Sequence, residues 1–252
     1  MEWQKVGTIG KIGCFSLQQS KILTSGEGGV AITNDKDLYL RMEQARSDGR
    51  LFSKNPKVGK LELVEVGSIQ GHNMCMTEFQ AAILIDRLKD LDKENRIRSA
   101  NVKLLMKMLE KVGGISSLKL YPQVTEQTFY NLVLKIDLDQ FGGNSIDAIA
   151  NAMNAELGTM MAPIYKPMNN HPLYNPLASS RVPKDTAVRK LFDPKRFDLP
   201  NAEIARKDHM SIQNWFLLDR QGMSDIAAAF AKVKANAKEL KQTRQTATKD
   251  AF

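Results

Sequence analysis

The 252-residue chain carries 36 Lys and Arg against 28 Asp and Glu, a formal charge of +8, with 42% hydrophobic and 25% charged residues. That balance supports a packed core and excludes a disordered polyelectrolyte, while two cysteines exclude a disulfide framework and three histidines give no cluster at metal-ligand spacing. No apolar run reaches the roughly 18 residues of a membrane span, and the first residues lack the apolar block of a signal peptide, so no membrane association and a cytoplasmic address are expected.

In chain order, Ile12 to Leu17 and Val30 to Thr33 are short β-branched or aromatic runs. Between them QQSKILTSGEGG holds Gly26, Gly28 and Gly29, which predicts strand, reversal, strand. Leu38, Met42 and Ala45 predict a helix over 35–46, and 47–72, with five glycines or prolines, reads as a long connection. Thr77-Glu78-Phe79-Gln80 has the form of a capping box, in which the Thr hydroxyl and the Gln side chain satisfy each other's backbone N–H. The helix it opens carries Phe79, Ile83, Leu84, Leu88 and Leu91 and continues to about Lys111, where Gly113-Gly114 stops it. At about 1.5 Å per residue it spans on the order of 50 Å, the length of a helix that runs between two domains.

Past Gly114, Tyr130, Leu132, Leu134 and Ile136 alternate with less apolar neighbours as in a half-buried strand. Ser145 or Asn144 caps a helix with Ile146, Ile149, Met153 and Leu157 on one face and Gly158 at its end. Residues 162–200, rich in proline, read mostly as loop. Ser224 reads as the cap of a last helix with Ile226, Phe230, Val233, Ala237 and Leu240 on one stripe. The basic end, with Lys232, Lys234, Lys238, Lys241, Arg244 and Lys249, has no stacking aromatic, so it reads as a solvated helix face and frayed terminus and not as a nucleic-acid surface.

Three features could carry chemistry. The string Gly7, Gly10, Gly13 lacks the spacing and the following helix of a dinucleotide site. Cys14, Ser16 and Ser20 are nucleophile types, but no local motif links them to His72, His171 or His209. Lys21 sits at the centre of the glycine-punctuated loop. An amine held between two strands can bond covalently to an aldehyde, and Ser16, Ser20 and Ser25 supply hydroxyls of the kind that bind phosphate. On spacing alone, a solvated lysine among 36 basic residues is the plainer reading.

The run GCFSLQQSKILTSGEGGVAITND resembles the lysine segment of the DegT/DnrJ/StrS family of pyridoxal-phosphate (PLP) aminotransferases. That segment has a strand ending in F-S, a lysine five residues after the serine, then T-x-G-E-G-G and a second strand. The Q-Q-S-K wording is similar to the branch that aminates cyclitol ketones such as scyllo-inosose. Gly71 to Ala82, GHNMCMTEFQAA, resembles the family's G-x-N-x-R-M-x-E-x-Q-A-A, with Cys75 where many members carry arginine. Lys11 stands where the family usually has aspartate in G-D-I-G. Weaker likenesses are FGGNSIDAIANAMNAELGT to the small-domain helix and PIYKPMNNHPLYN to a substrate-side loop.

The resemblance implies an α/β fold of the fold-type I PLP-transferase class. A remainder of the large PLP-binding domain would occupy 1–92, an α+β small domain 93–245 and a flexible tail 246–252. It implies Lys21 as the cofactor attachment and proton-moving group, Ser16 as a phosphate ligand, Asn73 as a phosphate ligand of the neighbouring subunit, and His171 as a substrate contact, with no metal. The reaction implied is transfer of an amino group from glutamine or glutamate to a keto-sugar or keto-cyclitol, by a homodimer. Lysine at position 21 argues against the family's dehydratase relatives, which carry histidine there. In the family the lysine follows a half-domain that supplies an aspartate for the pyridine nitrogen and a stacking aromatic, whereas here 20 residues precede it. The expectation is therefore either a complex with a chain carrying the missing N-terminal half, or a catalytically inactive truncated module serving dimerisation or regulation. A parallel sheet cut in this way would expose an apolar edge.

Overall fold

The computed structural model describes residues 4–53 and 63–240. Part of the long connection (54–62) and the end of the basic stretch, with Lys241, Arg244, Lys249 and the proposed tail, lie outside the described residues. The chain divides into two compact units, Met1–Lys93 and Glu94–Phe252.

In the first unit β1 (Gly13–Ser16) and β2 (Gly29–Ile32) pair antiparallel, with Gly13 opposite Ile32 and Ser16 opposite Gly29. Helix α1 (Lys36–Arg46) starts at Asp35, whose carboxylate accepts from the Asp37 and Leu38 N–H groups at 2.9 and 3.1 Å. Its predicted stripe, Leu38, Met42 and Ala45, is only half-buried, and the buried residues are Glu43 and Gln44. Gln44 Oε1 accepts from Ser68 Oγ at 2.5 Å, so this face meets a polar segment, not a core. The stretch expected as connection contains a hairpin of β3 (Arg50–Phe52) and β4 (Leu63–Glu65), strands of three residues that are too short to show a period. All strands described in this unit pair antiparallel, so the expected remnant of a parallel sheet is not seen among them. Helix α2 (Glu78–Val112) is 35 residues long, and the boundary between the units falls within it.

The second unit holds an antiparallel sheet in the order β5 (Ile115–Ser117), β6 (Asn131–Ile136), β8 (His209–Gln213), β7 (Ala162–Pro163). Leu132, Leu134 and Ile136 of β6 lie on one face with Met210 and Ile212 of β8. That face packs in one core with Leu105 and Leu109 of α2, Ile149 and Met153 of α3 (Ile146–Leu157) and Phe230 of α6 (Arg220–Ala235). Phe141 meets Phe230 edge to face at 6.4 Å.

One sequence expectation needs correction here, the cap of the last helix, and two stretches hold elements that the sequence reading did not name. The stretch 162–200 holds β7 and α4 (Thr186–Leu191), and α5 (Pro200–Asp208) opens on Pro200, which suits a first helical position. The central strand β8 offers only Met210 and Ile212 as a period-2 signal, too little to stand out. The last helix begins at Asp219, whose carboxylate accepts from Gln221 N–H at 2.9 Å, so Ser224 lies inside the helix and is not its cap. No helix among the described residues is long and apolar enough to cross a membrane.

Candidate functional site

Lys21 lies on the loop joining β1 to β2, and Leu17, 2% exposed, anchors that loop. Leu17 N–H donates to Gly28 O at 2.9 Å, and Leu17 O accepts from Ser25 N–H at 3.1 Å and from Thr24 Oγ1 at 3.0 Å. The two ends are thereby closed around the lysine. Within the closure, Lys21 N–H donates to Gln18 O at 2.9 Å, and Gln18 Oε1 accepts from Ser20 N–H at 2.8 Å and Ser20 Oγ at 2.6 Å. The side chain of Lys21 is half-buried. Gly26 and Gly28, at φ +92° and +140°, make the return turn with backbone that L side chains rarely adopt.

Ser16 is the last residue of β1 and is exposed; its Oγ accepts from Gln18 N–H at 3.3 Å. Since Oγ acts there as an acceptor, its O–H keeps the capacity to donate to an anion. The loop thus places an amine and a donor hydroxyl five residues apart on one closed turn.

Asn73 belongs to a second segment laid against the C-terminal end of α1. His72 N–H donates to Ala45 O at 2.8 Å, Met74 N–H to Arg46 O at 2.9 Å, and Asp48 N–H to His72 O at 3.2 Å. This contact requires glycine at position 71, because a Cβ there would overlap Gly49 N and Gln44 O. The result holds the backbone of Asn73 opposite Ser47 and leaves its side chain exposed. Cys75 is also exposed, and the guanidinium of Arg46 donates to its sulfur at 3.5 Å, so a cation stands beside the position where the sequence lacks one.

The capping box forms as its residues predict. Gln80 N–H donates to Thr77 Oγ1 at 3.3 Å, and Thr77 N–H donates to Gln80 Oε1 at 3.0 Å. Its carboxamide also does something local spacing does not reveal: Nε2 donates to Glu27 O, in the glycine turn of the lysine loop, at 2.7 Å across 53 residues. The signal open to a sequence reading is that Gln80 matches the glutamine of the second family motif, separate from the lysine motif. Thr24, which closes the loop on Leu17, was likewise not singled out by spacing.

His171 belongs to the second unit and is half-buried; its Nδ1 accepts from Leu173 N–H at 3.2 Å. In the neutral ring this puts the proton on Nε2 and leaves an N–H donor there.

A primary amine, a donor hydroxyl and a turn of glycines fit a phosphorylated aldehyde: the amine can bond to the carbonyl carbon, and the hydroxyl can donate to a phosphate oxygen. Residues 1–231 match the DegT/DnrJ/EryC1/StrS aminotransferase family. The chain belongs to that family. It is 43% identical over 234 residues to the L-glutamine:2-deoxy-scyllo-inosose aminotransferase of Streptomyces kanamyceticus, which covers 92% of this chain and 55% of the relative. The chain thus spans about half the length of the curated relatives it matches. The fold is shared with an aminotransferase from Psychrobacter cryohalolentis, at TM-score 0.71 and 24% identity over 93% of this chain and 58% of that one. It is also shared with the E. coli GDP-4-keto-6-deoxy-D-mannose-3-dehydratase with bound hydrated PLP, at TM-score 0.63 and 21% identity over 90% of this chain and 56% of that one.

Proposed function

We propose that this chain is the lysine-bearing part of a PLP-dependent aminotransferase that moves an amino group from glutamine to a keto-cyclitol. The observation that carries this is Lys21, half-buried on a loop closed by Leu17 and flanked by Ser16. The donor and acceptor classes are supported by the activity for which the relative at 43% identity is named. Lysine at position 21 favours transamination over the dehydratase chemistry that shares the fold.

PLP, when bound, supplies an electron-withdrawing ring that acidifies the carbon bearing the transferred nitrogen. The residues present would hold and serve it as follows. Lys21 Nζ is the covalent anchor and, once displaced, the base that takes a proton from that carbon and delivers one as its conjugate acid. Ser16 O–H donates to the phosphate. Asn73 is a phosphate donor to the neighbouring subunit of a homodimer, a role its exposed side chain permits. His171, on the second unit, is proposed as a substrate contact through the Nε2–H that its Nδ1 contact leaves.

The first unit also calls for further polypeptide, continuous with this chain or separate from it. Its buried apolar side chains among the described residues are Leu17 and Leu84, whereas Val6, Ile9, Phe79 and Ile85 are 87%, 71%, 85% and 64% exposed. We assign the cover to the remaining half of the large domain, which carries the partner of the pyridine nitrogen.

The test is the visible absorbance of the protein mixed with PLP, before and after borohydride, followed by peptide mapping. A band that borohydride removes, with the label on Lys21 and lost in Lys21→Ala, is the expected result. Labelling scattered over surface lysines and unchanged by Lys21→Ala would overturn the cofactor assignment. Labelled protein that transfers no amino group from glutamine to an inosose, even with the remaining half-domain supplied, would support the inactive-module reading instead.

A further inference from the structure

We infer that Gln80 is a positioning residue for the cofactor lysine: its carboxamide bolts the Lys21 loop to the start of α2. The inference deepens the proposed function and rests on Lys21 being the attachment site. Three contacts of one side-chain amide define it. Oε1 accepts from Thr77 N–H at 3.0 Å and from Thr77 Oγ1 at 3.1 Å, and Nε2 donates to Glu27 O at 2.7 Å. The acceptor end fixes the amide to the helix terminus, and the donor end reaches the carbonyl between Gly26 and Gly28.

That carbonyl is where the loop most needs a constraint. Gly26 and Gly28 both have positive φ, and glycine backbone of this kind has more accessible conformations than any other. Leu17 closes the loop through Gly28 O, one residue beyond the carbonyl that Gln80 holds. Fixing Glu27 O therefore fixes the closure, and with it the backbone that presents Lys21 N to Gln18 O. The same helix start follows Asn73 by only a few residues, so the bolt also links the two segments on which the phosphate ligands are proposed to lie. Gln80 acts through Lys21 and makes no contact with substrate in this scheme.

A capping box accepts Glu as readily as Gln at this position, and a carboxylate near a helix N-terminus is favourable. The link to Glu27 O, by contrast, needs a donor. Gln80→Glu consequently keeps the cap and turns the second contact into two facing acceptors, which separates positioning of the loop from folding of the helix.

The experiment is hydrogen exchange on the full chain, wild type and Gln80→Glu, reading the amides of Leu17, Lys21, Ser25 and Gly26 against those at the start of α2, together with the rate at which PLP is trapped on Lys21. The expected result is about tenfold faster exchange at the four loop amides, unchanged exchange at the helix start, and about tenfold slower trapping, as the loss of one hydrogen bond plus a repulsion implies. Thr77→Ala keeps the N–H that orients the carboxamide, so it should loosen the helix start and leave the loop amides protected. Loop exchange equal to wild type in Gln80→Glu, or loosening spread evenly over the unit, overturns the inference. Should Gln80→Glu fail to fold, the same amides in Gln80→Met decide it. If wild type traps no PLP on Lys21 while the exchange pattern holds, the cofactor assignment fails and the bolt stands.

Discussion

Arg98 is 2% exposed, and its guanidinium is fully engaged on three sides. Nη2 donates to Glu94 Oε2 at 2.8 Å, Nη1 to Asn95 Oδ1 at 3.3 Å, and Nε to Asn214 O at 3.3 Å. A buried pair is poor evidence of net stabilisation, but breaking one leaves the other charge without compensation. Arg98→Ala should lower stability by about 3 kcal/mol, read as a shift of the urea midpoint, with a slope unchanged if unfolding of the unit stays two-state. At this same scale the candidate site was half legible. As candidates, Lys21 and Ser16 stand out because they share one ungapped motif, and Asn73 because it falls in a second. The second role of Gln80 does not, because the local pattern already accounts for that side chain and nothing in a linear reading shows that its amide has a donor left over.

Among elements, legibility followed length and periodicity. Strand β6 places Leu132, Leu134 and Ile136 at 3%, 0% and 1% exposure, as its alternation predicts, and α3 has Ser145 as its cap and Gly158 at φ +60° as its end. Ser145 Oγ accepts from Ala148 N–H at 3.2 Å. By contrast β3, β4 and β7 have two or three residues each, and such strands exist only through their partners. The start of α6 differs from its sequence reading because Ser224 is a cap-type residue, yet Asp219 opens the helix and Ser224 continues it. The energetic weight lies with the periodic elements. Leu134→Ala should destabilise by about 2–5 kcal/mol through its cavity, seen in a thermal or urea transition, whereas Ser145→Ala should remove only about 1 kcal/mol.

At the scale of the molecule, the apolar core cluster among the described residues runs from Val102 to Val233, entirely within the second unit. The first unit is ordered by hydrogen bonds around Leu17, Gln44, Ser47 and Gln80 more than by burial. Backbone bonds with so little apolar cover open easily, so amides of β1 and β2 should exchange faster than those of β6 and β8. The exposed Val6, Ile9, Phe79 and Ile85 should give dye binding of the kind that reports open apolar surface, and association that rises with protein concentration. Both signals should fall when the remaining half-domain is supplied. If sedimentation shows a monodisperse monomer that binds no such dye, the first unit does not need the cover assigned to it.

The contact of Lys234 bears on where this protein can be cut. Its Nζ donates to Val112 O at 2.8 Å, Gly113 O at 3.0 Å and Gln140 Oε1 at 2.9 Å, so the last helix tethers the open end of α2. The family match stops at residue 231, three positions short of that tether and ahead of the buried Val233 and Ala237. A boundary drawn from shared ancestry would therefore fall inside the folded body, and an expression clone should keep the chain through at least Leu240.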